Sequence, residues 1–316
     1  MAGRTASPLS LPETLTQVRL PLLPRELHTT DRPSSTAQWT TLGRALELDR
    51  PARQRIVTDV YAPTFLSTAA RAVLLPLRVA SPIVRLAERA ELAGLAAFGL
   101  CRHRFIDEHL LAALPGGIEQ LLILGAGYDS RAYRFTDDLA GRPVHEVDLA
   151  PLSRRKAAIV AAHPDLFGHA TIRRVEIDFR RDSLADRLLA SGFAAGAATF
   201  VAWEGVSMYL SHAAVSSTLD TLNEVCGPGS VIAMDFWHPV PGGSPLHHIR
   251  RLGARAISLI GEPVTFGVSP EQAGEFLDLH GFAAFDLVRS RELADRYATD
   301  GRHCEESVYV VAAARR

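Results

Sequence analysis

The sequence predicts an α/β fold, a doubly wound and mostly parallel sheet of seven strands preceded by helices. Two observations carry this prediction. From residue 120 onward, short aliphatic and β-branched runs alternate with runs of helical periodicity, a pattern typical of parallel strands joined by helical crossovers. Between residues 37 and 114, apolar residues recur at three- and four-residue spacing, and no strand is predicted there.

The individual elements follow from this pattern in chain order. The first helices are predicted at residues 37–48, 63–71, 82–100 and 102–114, with prolines punctuating the stretch. The strands are predicted at residues 121–124, 144–148, 172–177, 198–203, 230–236, 282–288 and 307–312. The helices between the strands are predicted at residues 129–139, 152–162, 183–189, 212–226 and 270–280.

The same pattern divides the chain into three parts. Residues 1–36 are rich in Pro, Ser and Thr and are predicted to form a partly ordered arm, and residues 37–114 a helical cap. Residues 115–316 are predicted to form the sheet domain, with an insertion at about residues 237–262 over its ligand-binding edge. Prolines and glycines at residues 239–245 predict a mobile flap, with an ordinary surface loop as the alternative.

The composition excludes several classes of protein. A hydrophobic fraction of 47% excludes general disorder, and 34 basic against 35 acidic residues exclude a dedicated nucleic-acid binder. No run is apolar enough to span a membrane, no secretory signal is predicted, and the three cysteines are far apart. We therefore expect a cytoplasmic protein without a membrane or nucleic-acid partner, and a homodimer stays an open option.

A glycine turn after the first predicted strand indicates a nucleotide site. Gly125 permits a sharp turn, and Gly127 lets the backbone approach a ligand at the start of a helix. At the end of the second strand, Asp148 or Glu146 could accept hydrogen bonds from both ribose hydroxyls. The alternative is an ordinary turn followed by a solvated acid.

The residues after the turn favour one cofactor over another. Dinucleotide sites generally carry a third glycine, but Ser130 stands at that position, and Asp129 adds negative charge where phosphates would lie. This arrangement disfavours NAD. It favours S-adenosylmethionine, which has no phosphate and carries an amino group that tolerates nearby carboxylates.

Several motifs indicate a family. They are DVYA at residues 59–62, RHRFID at 102–107, ILGAGYDSRAYR at 123–134, EVDL at 146–149, IDFR at 177–180 and WEGVSMYL at 203–210. On these motifs the chain resembles the leucine carboxyl methyltransferase family, and within it the bacterial polyketide O-methyltransferases. The resemblance spans roughly residues 45–236 and implies a Rossmann-like class I methyltransferase fold with a helical cap.

The resemblance also implies roles for the residues that hold the cofactor. Arg102 would bind the methionyl carboxylate, with Arg104 as a second candidate, because a guanidinium group can bind a carboxylate at two points. Gly125 and Gly127 would line the backbone cradle, and Asp148 would bind the ribose. The alternative for both arginines is a place on the surface of an amphipathic helix.

Further roles are implied beyond the third and fourth strands. Asp178 would accept from the adenine amino group while Phe179 packs on the purine, although Asp178 could instead cap the following helix. Glu204 would lie near the methionyl amino group. Tyr209 would face the reacting centre unless it only packs in the core. His238 is a candidate acid or base facing the substrate, with an ordinary loop histidine as the alternative.

These expectations combine into one functional hypothesis. The chain is expected to transfer a methyl group from S-adenosylmethionine to a carboxylate or hydroxyl of a small polyketide or aromatic acceptor, with S-adenosylhomocysteine as product. No metal is expected, because the spacing of the acidic and histidine residues around residues 235–248 matches no metal-binding motif. The alternatives are a non-catalytic cofactor-binding protein and a nicotinamide-dependent oxidoreductase.

Overall fold

The computed structural model confirms the predicted α/β class, because its strands form one seven-stranded sheet. It describes residues 35–80, 94–168, 170–178, 181–238 and 264–316, so most of the predicted arm, most of the predicted insertion and Phe179 lie outside the described residues. The strands are β1 (Gln120–Leu124), β2 (Val144–Asp148), β3 (Ile172–Glu176), β4 (Thr199–Trp203), β5 (Val231–Trp237), β6 (Phe282–Arg289) and β7 (Val308–Arg315).

The helices lie before the sheet and between its strands. None of the described helices is long and apolar enough to cross a membrane. They are α1 (Ser35–Glu47), α2 (Ala62–Phe65), α3 (Thr68–Val79), α4 (Gly94–Ala113), α5 (Arg131–Arg134), α6 (Thr136–Leu139), α7 (Ala150–Ala161), α8 (Pro164–Phe167), α9 (Leu184–Ala190), α10 (His212–Val225), α11 (Pro270–Leu279) and α12 (Ser290–Tyr297).

Some helix boundaries differ from the sequence prediction. The helix boundary predicted near Cys101 is wrong, because α4 runs through this residue, which is fully buried. The single helix predicted at residues 129–139 is interrupted at Phe135, whose backbone leaves the helical region with φ −112°. Helix α12 was not predicted, because it is short and its sequence is strongly polar, with Leu293 and Ala294 as its buried apolar residues.

The strand order places a crevice at the carboxyl ends of the central strands. The order is β3-β2-β1-β4-β5-β7-β6, with β1 to β5 parallel and β7 antiparallel to both of its neighbours. The chain winds outward from β1 to β3 and then returns to place β4 on the other side of β1. In such sheets, ligands bind beyond the carboxyl ends of the strands where the winding direction reverses. That point lies between β1 and β4.

Both faces of the sheet are covered. Leu121 and Ile123 of β1 pack with α4 on one face, while Leu122 and Leu124 pack on the other face with residues of α9, α10 and α11. All five residues of β1 and of β4 are buried, as expected for central parallel strands. The buried strands therefore give the loops at their carboxyl ends a rigid support.

A buried ion pair connects the N-terminal helices to the C-terminal part of the chain. The guanidinium group of Arg302 donates two hydrogen bonds of 2.8 Å to the carboxylate of Glu47 at the end of α1. Both side chains are 1% exposed. The backbone N–H of Ile56 also donates to Glu47, at 2.8 Å. The pair therefore joins two segments that are distant in sequence, through side chains that are shielded from solvent.

We expect Arg302→Met to lower the free energy of unfolding by about 3–5 kcal/mol, because the buried carboxylates of Glu47 and Asp300, which now share Arg302 and Arg50, keep only Arg50 among the described residues. Urea unfolding followed by circular dichroism measures this loss. The matched control is Arg78→Met, which removes a pair with Asp49 in which both side chains are 40% exposed. That substitution should change stability by less than about 1 kcal/mol. Equal effects of the two substitutions would contradict the prediction.

Candidate functional site

The glycine turn lies at the crevice between β1 and β4. Gly125 and Gly127 have φ values of 65° and 46°, in the left-handed region that favours glycine. A Cβ atom added at Gly125 would overlap the side chain of Val206 in the loop after β4. Gly125 therefore allows the loops after β1 and β4 to pack against each other, in addition to turning the chain.

The two acids of β2 have different surroundings. Asp148, half-buried at the end of the strand, accepts hydrogen bonds from the backbone N–H of Gly127 at 2.5 Å and of Leu149 at 2.7 Å. Burial raises the pKa of Asp148 despite these two donors. Glu146 is buried and is paired with Lys156, whose Nζ lies 2.7 Å from its Oε1. Of the two candidates, Asp148 is thus the acid at the edge of the crevice.

A network of buried charges lies beneath the crevice. Arg131 of α5 donates from Nε to Asp107 of α4 at 2.7 Å, and from its terminal nitrogens to Asp129 and, at 2.8 Å, to Glu204. Its side chain has no exposed surface. Arg134 binds the same Asp107 carboxylate through both terminal nitrogens, at 2.7 and 2.9 Å. The network thus joins α4, the β1 turn and the loop after β4.

Arg102 extends this network toward β5. Its Nε donates to Glu204 at 3.2 Å, and one terminal nitrogen donates to Asp235 at 2.9 Å. The other terminal nitrogen has no hydrogen-bond acceptor among the described residues and lies over Gly205. A Cβ at Gly205 would come within 2.9 Å of that nitrogen. For Arg102 the predicted alternative of a surface arginine is wrong, because its side chain is buried. Arg104 does lie at the surface, where it pairs with Glu108 at 2.7 Å.

Glu204 has one oxygen saturated and one partly available. Its Oε2 accepts from Arg131 at 2.8 Å and lies 2.9 Å from Nδ1 of His103, whereas its Oε1 is bound only by Arg102 among the described residues. Burial would raise the pKa of Glu204, but His103, Arg131 and Arg102 together outweigh it and hold the pKa well below its usual range. Glu204 is therefore an ionised carboxylate with a spare acceptor beside the spare donor of Arg102.

Three further predicted site residues lie in the segments that follow β3, β4 and β5. Asp178 follows β3, and the predicted helix-capping alternative is wrong, because Ser183 caps α9 by accepting from the N–H of Asp186. Tyr209 is half-buried in a short 3₁₀ helix after β4. His238 follows β5, where its backbone N–H donates to the carbonyl of Ser307 at 2.9 Å. The roles predicted for Asp178, Tyr209 and His238 stay predictions.

Arg44 of α1 supports the glycine turn from the N-terminal side. It donates to the backbone carbonyl of Tyr128 at 2.7 Å and pairs with Asp59 at 2.8 Å. Sequence reasoning assigned no role to Arg44, Asp107 or Arg131, although the last two belong to the matched motifs. For Asp107 and Arg131, their place inside the matched motifs at residues 102–107 and 123–134 was the available signal.

One group of side chains has ligand types that metals use. Suitable atoms of His103, Asp129 and Glu204 lie within 4.8 Å of one another. The Arg131 guanidinium makes hydrogen bonds to both carboxylates of this group. The positive charge that a metal ion would supply there is thus already supplied by the arginine.

The Asp107 carboxylate should make protein stability depend on pH. Burial would raise its pKa, but the arginines around it lower the pKa to about 2, against 3.8 for an ordinary aspartate. A lowered pKa in the folded state stabilises the fold above pH 4, and this contribution disappears as pH falls through 2. It corresponds to about 2 kcal/mol at neutral pH.

We therefore expect Asp107→Asn to be less stable than the wild type at pH 7, and the gap to narrow by about 1 kcal/mol at pH 3. Urea unfolding at pH 7, 5, 4 and 3 measures the gap. A stability difference that stays constant over this range would contradict the role of the charge.

Comparison with known proteins identifies the family. The family model for leucine carboxyl methyltransferase matches residues 37–223. Two relatives, each named "Putative S-adenosyl-L-methionine-dependent methyltransferase", come from Rhodococcus jostii and Streptomyces coelicolor. The first is 35% identical over 207 residues, 64% of this chain and 66% of the relative, and the second 34% identical over 208 residues, 63% and 64%. The matches therefore cover just under two thirds of each relative.

A solved structure supports the same assignment at the level of the fold. It comes from Thermobifida fusca, is called a "putative methyltransferase", and is 15% identical in sequence. The match covers 91% of this chain and 97% of the other, with a TM-score of 0.56. With the match to the family model, these findings establish that the chain belongs to the leucine carboxyl methyltransferase family and has a class I methyltransferase fold.

Proposed function

We propose that the chain binds S-adenosylmethionine in the crevice between β1 and β4 and transfers its methyl group to an oxygen of a small-molecule acceptor. One observation carries the proposal. The spare donor of Arg102 and the spare acceptor Oε1 of Glu204 lie side by side. An α-amino acid offers the complementary pair, a carboxylate and an ammonium group. The methionyl end of S-adenosylmethionine is such a group.

The balance of charge supports the same cofactor. Three guanidinium groups, those of Arg102, Arg131 and Arg134, face four carboxylates, so the network carries one net negative charge. The carboxylates are those of Asp107, Asp129, Glu204 and Asp235. S-adenosylmethionine carries two positive charges and one negative charge, which complements this excess. Asp148 offers its carboxylate at the place where a ribose is bound in sheets of this type.

The expected excess of negative charge at Asp129 is wrong. Asp129 does not present a free negative charge at the turn, because the side chain and backbone N–H of Arg131 both donate to it. Ser130 is the stronger obstacle: it is fully buried, and its hydroxyl accepts from Nε of Arg134 at 3.0 Å. The room that a third glycine leaves for a pyrophosphate is therefore taken by protein.

The chain's part in the reaction is to position the reactants and exclude water. When bound, S-adenosylmethionine supplies an electrophilic methyl group on its sulfonium. Arg102 and Glu204 would hold the amino-acid end and Asp148 the ribose, which leaves one orientation for the sulfonium. A carboxylate acceptor is ionised near pH 7 and needs no base, whereas a phenol with a pKa near 10 would benefit from one. Tyr209 and His238 are the candidate groups for that second case.

We propose an aromatic or polyketide acid as the acceptor. The reason is that the sequence holds no convincing base–nucleophile motif, which suits an acceptor oxygen that is already ionised. The second candidate is a protein that keeps the fold and binds the cofactor without catalysing methyl transfer. In-line methyl transfer requires few indispensable side chains, so the side chains at the site do not distinguish the two candidates.

Titration calorimetry tests the cofactor. We expect S-adenosylmethionine and S-adenosylhomocysteine to bind saturably, and NAD to give no binding signal. Saturable binding of NAD without any response to the two adenosyl ligands would exclude the methyltransferase proposal.

Two variants locate the ribose acid. Asp148→Ala should weaken binding of S-adenosylhomocysteine by about 2–4 kcal/mol, because hydrogen bonds to a charged acceptor are lost. The matched control is Glu146→Gln, which disturbs the buried pair with Lys156 and should lower stability while leaving affinity nearly unchanged. The reverse result, with affinity lost only in the Glu146 variant, would show that Glu146 binds the ribose and that Asp148 does not.

Mass spectrometry identifies the acceptor. A panel of aromatic acids and phenols is incubated with the protein and S-adenosylmethionine, and each methylated product is treated with base. We expect a product that base hydrolyses to the starting acid, which is the behaviour of a carboxyl ester. A base-resistant ether would indicate a phenol, and His238→Ala or Tyr209→Phe should then lower kcat. Tight cofactor binding without methylation across the panel would favour the non-catalytic candidate.

A further inference from the structure

His103 is a buried histidine next to the proposed cofactor site, and the proposed function gives this histidine no role. It belongs to the matched segment at residues 102–107 and is 1% exposed. Its ring faces Arg131 and Arg134 of α5 and Glu204 after β4, and Asp107 lies one turn further along its own helix.

The contacts of the ring determine its tautomer. Nε2 lies 2.8 Å from a terminal nitrogen of Arg134. A guanidinium group can only donate, so Nε2 must carry a lone pair, and the single proton of the neutral ring is then on Nδ1. Nδ1–H donates to Oε2 of Glu204 at 2.9 Å. A terminal nitrogen of Arg131 also lies 3.0 Å from Nδ1, but its two hydrogens are donated to Oε2 of Glu204 at 2.8 Å and to the backbone carbonyl of His103 at 3.1 Å.

The ring is also kept neutral. Burial lowers the pKa of His103, and the charge of Arg131 lowers it further, while Glu204 and Asp107 act in the opposite direction. A doubly protonated ring would direct a second N–H at the donors of Arg134. The Nδ1–H donor is therefore present throughout the neutral pH range.

This donor affects the orientation of Glu204. With His103 and Arg131 both donating to Oε2, that oxygen is saturated and the carboxylate cannot turn to exchange its two oxygens without losing both bonds. Oε1 keeps one lone pair beside the spare donor of Arg102. The His103 ring thus sets which oxygen of Glu204 faces the crevice.

We propose that His103 is a positioning residue, whose Nδ1–H holds Oε2 of Glu204 so that Oε1 faces the ammonium group of the cofactor's methionyl end. The inference rests on the proposed function, because it assumes that the ligand carries this amino acid. It predicts an effect on ligands with an α-amino group and no effect on ligands that have only the nucleoside.

Binding of two ligands to two variants tests the proposal. S-adenosylhomocysteine carries the amino acid, and 5′-methylthioadenosine lacks it. His103→Leu removes the donor, and we expect about a 10-fold or greater loss of affinity for S-adenosylhomocysteine with affinity for 5′-methylthioadenosine unchanged. His103→Asn places an amide N–H where Nδ1 stands, and it should keep affinity for S-adenosylhomocysteine within about 3-fold of the wild type.

The outcomes separate the two proposals. Equal losses for both ligands, or no loss for either in His103→Leu, would overturn the role of His103 while the proposed function stands. Failure of the wild type to bind either ligand would overturn the proposed function itself. If melting curves show that His103→Leu does not fold, His103→Gln replaces it. The longer Gln side chain places its amide near the position of Nε2 and away from that of Nδ1. His103→Gln should therefore lose affinity for S-adenosylhomocysteine, whereas His103→Asn should keep it.

Discussion

The buried guanidinium group of Arg131 is the constraint on which the rest of the site depends. Removing such a group from water carries a penalty of several kcal/mol, which only complete pairing with carboxylates offsets. Its partners come from three elements: Asp107 from α4, Asp129 from the β1 turn and Glu204 from the loop after β4. These elements must therefore meet at one point for the chain to fold, and that point lies beneath the glycine turn.

The same constraint explains how a heavily charged cluster can serve as a binding surface. Most donors and acceptors of the cluster are satisfied within the chain, so a ligand meets few competing groups. Those left over are a nitrogen of Arg102 and an oxygen of Glu204, which together suit an amino-acid group.

Much of the fold could be predicted because it rests on local signals. The strands were visible as short apolar runs, and the turn at Gly125 as a glycine that ends such a run. Prediction failed where packing outweighs local preference. Helix α4 continues through Cys101 because the core surrounds it, and α12 forms from a polar sequence because Leu293 and Ala294 are buried against the sheet.

By itself, the sequence determined the α/β class, the glycine turn and the acids at the end of β2. Only the tertiary structure decided that Lys156 neutralises Glu146 and leaves Asp148 at the crevice, that Arg131 neutralises Asp129, and that the ring of His103 faces Glu204 and Arg134. The physical reason is that backbone preference and periodicity act over a few residues and do not fix which side chains pair. Partners of the buried charges can be 255 residues apart, as Glu47 and Arg302 are, and even neighbours such as Asp129 and Arg131 pair through the packing of their side chains.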